Sequence, residues 1–185
     1  MALLEIKKLG CDTLKQTAHP VEEVSYAIKQ LVDDMFETMY AAEGIGLAAP
    51  QVGALHRVIV LDVSPSDPGF EARVLINPRI VWTAGEVVGE EGCLSLPGVA
   101  GDAKRAAQVR IEALDKVGDL QTMEFDGIAA RAAQHEIDHL DGVLVIEHFS
   151  TIRRNLLRNQ LRKLRREGVK QSPGPVEVTA EALES

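Results

Sequence analysis

The stretch QHEIDHLDG, residues 134–142, places two histidines four residues apart and a glutamate beside the first. It continues an alanine-rich run, IAARAAQHEIDHL, and alanine favours helix. Residues four apart on a helix lie on one face, so His135 and His139 can bind the same ion. The sequence therefore predicts a helix that follows Gly127, carries a metal site and ends near Gly142.

The other elements are predicted outward from this helix. A helix from about Val21 to Ala42 has apolar residues at helical spacing, namely Ile28, Leu31, Val32, Met35 and Met39. Runs rich in β-branched residues predict strands; these are HRVIVLDV from His56, RVLINP, RIVWTAGEVV, the hairpin pair QVRIEALD and LQTMEF, and VLVIEHF. Ser150 can cap a last helix that runs to about Gly168. We expect an α+β fold, with antiparallel or mixed sheets around a central HExxH helix and with N-terminal and C-terminal helices.

Length and composition narrow the classes of protein. The 185 residues predict a single catalytic domain over 1–170, followed by a disordered acidic tail over 171–185. A formal net charge of −8 argues against wholesale nucleic-acid binding. The first ten residues lack the apolar run of a secretory signal, and no stretch resembles a membrane span. We therefore expect a cytoplasmic protein without a membrane partner, and a monomer.

Two histidines need a third ligand to make a metal site. The HExxHxxG pattern is how one group of zinc proteases begins, but the position that would hold their next histidine is Val145, which cannot bind a metal. Glu147 lies in a segment that has turned away, and the isolated residues His19, His56 and His148 are better explained as surface or core histidines. Without a third ligand, the stretch would be a solvated helix with two surface histidines.

Cys93 is the best candidate for the third ligand. It stands in the tight segment EEGCLSLPG, where a thiolate can approach an ion. One thiolate and two imidazoles leave a fourth position for water, which is the arrangement of a catalytic site. Glu136 lies one residue round the helix from His135, near enough to reach such a water.

Three segments resemble the signature of the peptide deformylase family: GIGLAAPQ (44–51), EGCLSLP (91–97) and QHEIDHLDG (134–142). The resemblance covers about residues 3–168. It implies that Cys93, His135 and His139 bind one divalent ion, Fe²⁺ in the cell, with Zn²⁺, Ni²⁺ or Co²⁺ able to replace it. It also implies that Glu136 is the general base, and that the Gln51 side chain and the Leu94 backbone N–H stabilise an oxyanion.

The same resemblance implies a reaction and a substrate. The reaction is removal of formate from the N-formylmethionine of nascent bacterial or organellar chains. Gly44 and Gly46 would allow close approach of a peptide, with which the backbone of Ile45, Gly46 and Gly92 would pair. Ile128 and Ala132 would join Ile45 as walls of a methionine pocket, with Arg131 near its mouth. Ala100 departs from relatives that carry arginine or an aromatic residue in the loop GVAGDAKR, so a contact from that loop is not carried over.

The segment STIRRNLLRNQLRKLRREGVK is strongly basic within an acidic chain. One interpretation is a solvated amphipathic helix whose apolar side is Ile152, Leu156, Leu157, Leu161 and Leu164. The other, which the resemblance suggests, is docking to the ribosome near the exit tunnel. For the chain as a whole, the alternatives to a deformylase are a metal peptidase and a structural metal site on a binding module.

Overall fold

The computed structural model describes residues 2–172. Its four α-helices are α1 (Tyr26–Ala41), α2 (Gly127–Leu140), α3 (Thr151–Leu156) and α4 (Arg158–Val169). Its strands are β1 (Gly46–Ala48), β2 (Val58–Leu61), β3 (Arg73–Ala84), β4 (Val87–Gly92), β5 (Ala100–Arg105), β6 (Gln108–Leu114) and β7 (Leu120–Asp126). The α+β fold class is confirmed, and the extended sheets are antiparallel.

The strands form two separate sheets. The larger has five strands in the order β1-β2-β3-β6-β7, and the smaller is the pair β4 and β5. Between them the chain leaves β3 at Ala84 and turns at Gly85, which has a φ of 64°. Strand β4 of the smaller sheet ends at Gly92, one residue before Cys93.

Helices α1 and α2 cover opposite faces of the larger sheet. Strand β2 is buried on both faces: Val58 and Val60 pack with α1, while Ile59 and Leu61 pack with α2. The α2 side presents mostly small side chains to the sheet, namely Ala129, Ala130, Ala132 and Ala133. Because alanine is small, the helix backbone can lie close to the strands and is held by packing along its length.

Both long helices begin and end where local chemistry predicts. Helix α1 starts at Tyr26 rather than near Val21, because the Ser25 hydroxyl accepts a hydrogen bond from the Ile28 N–H and caps it. Helix α2 ends at Leu140, and Gly142 follows with a φ of 73°. A side chain at Gly142 would be strained and would meet the Lys15 carbonyl, which explains a glycine at this stop.

Three predicted elements are wrong in detail. VLVIEHF is not a strand: Val145–Glu147 form a 3₁₀ turn whose apolar residues enter the core beneath the last helices. RIVWTAGEVV is not one strand, because it spans the turn at Gly85. The last helix is divided at Leu157 into α3 and α4, although Ser150 caps it as predicted.

The division at Leu157 changes which apolar residues are buried. Leu157, Leu161 and Leu164 pack against a cluster that includes Leu9 and Leu144. Ile152 and Leu156 are exposed, so the predicted apolar side is correct only for the second half of the segment. GVAGDAKR, expected to be a loop, contains strand β5, in which Ala100 pairs with Gly92.

Two sequence predictions concern features beyond these elements. The tail predicted for 171–185 lies, from residue 173 on, outside the described residues. Between residues 2 and 172, none of the helices combines the length and the apolar character needed to span a bilayer.

Candidate active site

The structure brings the three predicted ligands together. Ligand atoms of Cys93, His135 and His139 all lie within 4.8 Å of one another, and the Cys93 Sγ is 3.2 Å from the His139 Nε2. The two imidazoles project from one side of α2, with ring centroids 5.1 Å apart. Cys93 comes from the segment after β4. Within residues 2–172 no other group of histidine, cysteine and acidic side chains converges in this way.

The donor set fits a transition-metal ion. The His135 Nδ1 lies 3.0 Å from the Glu91 Oε2, and this bond leaves the Nε2 of the same ring as the atom that can bind an ion. Thiolate and imidazole donors suit zinc, iron and related ions. The His139 Nδ1 and the Glu136 Oε2 are buried without a hydrogen-bond partner in the described part of the chain. Unpartnered buried polar atoms are rare; these two belong to a predicted ligand and to the neighbour of another, while a third, the Glu37 Oε2, lies on α1.

Burial and neighbouring charge shift the two imidazoles in opposite directions. Burial lowers the pKa of His139 well below its usual value, and the charge of His135 adds to that effect. Burial also acts to lower the pKa of His135, but hydrogen bonds to Cys93 and Glu91 outweigh it and hold the pKa well above its usual value. Ligation needs neutral imidazoles and a thiolate, so ion binding would release a proton from His135.

Glu136 is the buried carboxyl beside the cluster. Burial raises its pKa to about 7, so the group can exchange a proton near neutral pH. Gly46 makes room for it: a Cβ on Gly46 would lie 2.7 Å from the Glu136 Oε1. A side chain at Gly46 would therefore displace this carboxyl from its present position.

Gln51 is fixed with its amide nitrogen towards the cluster. Its Oε1 accepts a hydrogen bond from the Ala48 N–H at 2.8 Å. Its Nε2 lies 3.3 Å from the Ser95 hydroxyl and 3.6 Å from the Cys93 Sγ. The side chain is buried, so it offers an oriented N–H donor at the edge of the site.

A cavity of about 460 Å³ opens beside these groups. Every predicted site residue except the buried His139 lines it; these are Gly44, Ile45, Gly46, Gln51, Gly92, Cys93, Leu94, Ile128, Arg131, Ala132, His135 and Glu136. Its wall therefore combines apolar side chains, glycine backbone and the candidate catalytic groups. That composition suits a peptide with an apolar side chain.

Arg131 lies in the cavity wall, but its guanidinium is already engaged. Its Nη1 donates to the Glu91 carboxylate at 2.8 Å, to the Gly89 carbonyl at 3.2 Å and to the Ala103 carbonyl at 3.1 Å. These bonds join α2 to both strands of the smaller sheet. A substrate contact by Arg131 remains a prediction.

Sequence reasoning missed a buried charge network behind the ligands. Glu91 lies within EGCLSLP, but the sequence predicted no role for it or for Arg105 and Asp138. Burial raises the pKa of Glu91, but bonds from His135 and Arg105 outweigh this and lower it to about 2. The only signal in the sequence was an acidic residue two positions before a predicted ligand cysteine.

Several other candidates lie away from the cluster. Glu147 pairs with Lys15, and His148 contacts Asp138. His19 and His56 meet in an isolated β-bridge. The Ala100 carbonyl accepts a hydrogen bond from Arg153 of α3. The sequence-based choice of Cys93 over these histidines and Glu147 agrees with the geometry.

Comparison with known proteins identifies the family. The family model described as polypeptide deformylase matches residues 3–155. The chain belongs to the polypeptide deformylase family. A peptide deformylase of Thermodesulfovibrio yellowstonii is 49% identical over 162 residues, which cover 88% of this chain and 98% of that protein.

Solved deformylase structures have the same fold. The enzyme of Legionella pneumophila superposes with a TM-score of 0.82 at 39% identity, covering 93% of this chain and 100% of that one. The enzyme of Thermus thermophilus gives a TM-score of 0.83 at 38% identity, covering 90% and 99%. This chain is therefore a deformylase, a hydrolase of a metal-dependent family that removes the N-formyl group from nascent peptides.

Proposed function

We propose that this deformylase releases formate from the N-formylmethionine of nascent chains, with a divalent ion held by Cys93, His135 and His139. The observation that carries the proposal is the position of the buried, unpartnered Glu136 carboxyl beside a three-ligand cluster on the wall of a peptide-sized cavity. When bound, the ion would acidify water and polarise the formyl group. We propose Fe²⁺ in the cell, with Zn²⁺, Ni²⁺ or Co²⁺ as substitutes.

The chain's own groups then move the proton and hold the developing charge. Glu136 takes a proton from the attacking water and returns it to the leaving amine nitrogen. The Gln51 Nε2 and the Leu94 backbone N–H donate to the formyl oxygen as it gains negative charge. Because Gln51 is held by Ala48 and Ser95, its donor needs no reorganisation during the reaction.

The cavity supplies the binding surface for the peptide. Ile45, Ile128 and Ala132 form apolar wall against which a methionine side chain can pack. The backbone of Ile45, Gly46 and Gly92 is proposed to pair with an extended substrate, because Gly46 belongs to β1, an edge strand of the larger sheet, and Gly44 leaves room for close approach. The chain is proposed to act as a monomer in the bacterial cytoplasm.

A formate-release assay with metal analysis of the same sample tests this function. We expect about one ion per chain and one formate per formyl-Met tripeptide consumed, with loss of turnover on chelation and recovery when Fe²⁺ is added back without oxygen. Cleavage of the internal peptide bonds would instead indicate a peptidase. Tight ion binding without formate release would indicate a structural metal site.

We also propose that the basic C-terminal helices dock on the ribosome. A cleft of about 660 Å³ lies beside the contact of α3 and α4 with the segment around Leu9–Lys15. Asp12 and Glu147 line it together with four arginines: Arg154, Arg158, Arg162 and Arg165. Within residues 2–172 none of the four has a carboxylate partner. Guanidinium groups without a carboxylate, in a chain of net charge −8, form a local site for phosphates.

Neutralising this surface should weaken ribosome binding. We expect the triple variant Arg154→Gln, Arg158→Gln and Arg162→Gln to co-sediment less with ribosomes. The slope of log binding constant against log salt concentration should become shallower by about one for each phosphate that is no longer neutralised. The matched control removes three exposed charges elsewhere, at Arg79, Lys104 and Arg110. Equal binding by both variants would contradict the proposal. Substitution is preferable to truncation near Ser150, which would remove the buried Leu157, Leu161 and Leu164.

A further inference from the structure

Besides Arg131, which donates to the Glu91 Oε1 at 2.8 Å, three charged side chains connect the smaller sheet to helix α2 directly behind the ligands. Glu91 lies on β4, Arg105 on β5 and Asp138 on α2. The side chains of Glu91 and Arg105 are each only 4% exposed. Burying an ion pair is costly unless its hydrogen-bonding groups are satisfied, so such a pair needs a reason.

Arg105 holds both carboxylates at once. Its Nε donates to the Glu91 Oε1 at 2.9 Å and its Nη2 to the Glu91 Oε2 at 3.0 Å, a two-pronged contact. Its Nη1 donates to the Asp138 Oδ2 at 2.6 Å. The planar guanidinium fixes the directions of all three bonds, which a flexible ammonium group would not do.

Glu91, held in this way by Arg105, in turn orients the imidazole of the predicted ligand His135. The same Oε2 accepts the hydrogen bond from the His135 Nδ1, which fixes the ring and leaves its Nε2 for the ion. Asp138 lies three residues after His135 on α2, so the bonds close a ring through His135, Glu91, Arg105 and Asp138. Cys93 follows two residues after Glu91, so the ring also sets the third ligand against the helix.

We propose that Arg105 is a positioning residue of the metal site. This rests on the metal-binding role proposed for Cys93, His135 and His139. Arg105 touches neither substrate nor ion; it acts through Glu91 on the His135 ring and through β4 on the position of Cys93. A role in folding alone would leave the affinity of the folded chain for an ion unchanged.

The test is metal affinity of the full chain after the ion has been removed. Zn²⁺ or Co²⁺ is titrated in competition with a chromophoric chelator, and thermal unfolding of the metal-free chain is measured in parallel. Arg105→Lys keeps the positive charge but cannot make the two-pronged contact with Glu91. We expect its affinity to fall by about 10- to 100-fold, with an altered Co²⁺ absorption spectrum.

Matched variants separate positioning from folding. Arg110→Lys changes an exposed arginine paired with Glu124 and should bind both ions as the unmodified chain does. Asp138→Asn removes the negative charge of one acceptor of Arg105 and should weaken affinity less than Arg105→Lys does. The double variant should lose less affinity for the ion than the product of the two separate fold-losses, since both residues act through one hydrogen-bonded ring.

The outcomes distinguish this inference from the proposed function. If the unmodified chain does not bind either ion, the proposed metal site is wrong. If it binds, and folded Arg105→Lys binds with equal affinity and an equal Co²⁺ spectrum, Arg105 does not position the site. If the losses of metal affinity in Arg105→Lys and Asp138→Asn multiply in the double variant, the two residues do not act through one hydrogen-bonded ring.

Discussion

Glu136→Ala should retain the ion and lose nearly all formate release. The substitution removes the carboxyl that exchanges the proton but leaves the three ligand side chains in place. A positioned general base contributes about 10²- to 10⁴-fold to rate, so we expect a fall in kcat of that size. The measurement is kcat for a formyl-Met tripeptide, normalised to the ion content of each sample.

Glu136→Gln is the matched variant, because it keeps the size of the side chain and cannot accept the proton. It should be as inactive as the alanine variant. Since the buried carboxyl has no partner for its Oε2, both variants should fold at least as stably as the unmodified chain. If either variant, reloaded with ion, turns over normally, Glu136 is not the base.

Cys93→Ala should abolish tight ion binding and, with it, activity. The thiolate is the one anionic ligand of the proposed set, and two imidazoles alone make a weak site. Ion content after dialysis should fall from about one per chain to near zero. Cys93→Ser should behave similarly, since a neutral hydroxyl does not replace a thiolate for these metals.

Cys11→Ala provides the control for cysteine loss in general. Cys11 is buried in the cluster that contains Leu9 and Leu14, and its Sγ contacts the Thr13 hydroxyl rather than any ligand. The variant should keep the ion and the activity. Full ion content in Cys93→Ala would remove Cys93 from the proposed ligand set.

The sequence predicted the parts of the site that have a periodic or chemical signature. His135 and His139 are four apart on an alanine-rich helix, and this spacing alone places them on one face. Val145 stands where a zinc protease would have its third histidine ligand, so the third ligand had to lie elsewhere. Cys93 was predicted because it follows Gly92 in a tight, glycine-containing segment. The family signature added Gln51 and Leu94, which no spacing rule would connect to a helix that begins tens of residues later.

What the sequence could not give depends on tertiary contacts. Arg105 has no motif around it, and its role appears only when β5 lies beside β4 and above α2. VLVIEHF has strand composition, but Val145 and Ile146 enter the core beneath the last helices as part of a 3₁₀ turn and do not pair with a strand in the described part of the chain. The division at Leu157 likewise follows from packing, because the sequence on both sides of it favours helix.

The smaller sheet gives an ion in this site a mechanical role. Strands β4 and β5 form no ladder with the five-stranded sheet, and Cys93 extends from β4 while both histidines belong to a helix packed on the larger sheet. An ion held by all three would therefore add a link between the smaller sheet and the helix on the larger sheet, beside the hydrogen bonds of Arg105, Arg131 and His135. Because the ion would bind the folded chain and not the unfolded one, its binding free energy would add to the free energy of unfolding. An ion bound for catalysis would then also stabilise the contact between the two walls of the cavity, the segment after β4 and helix α2.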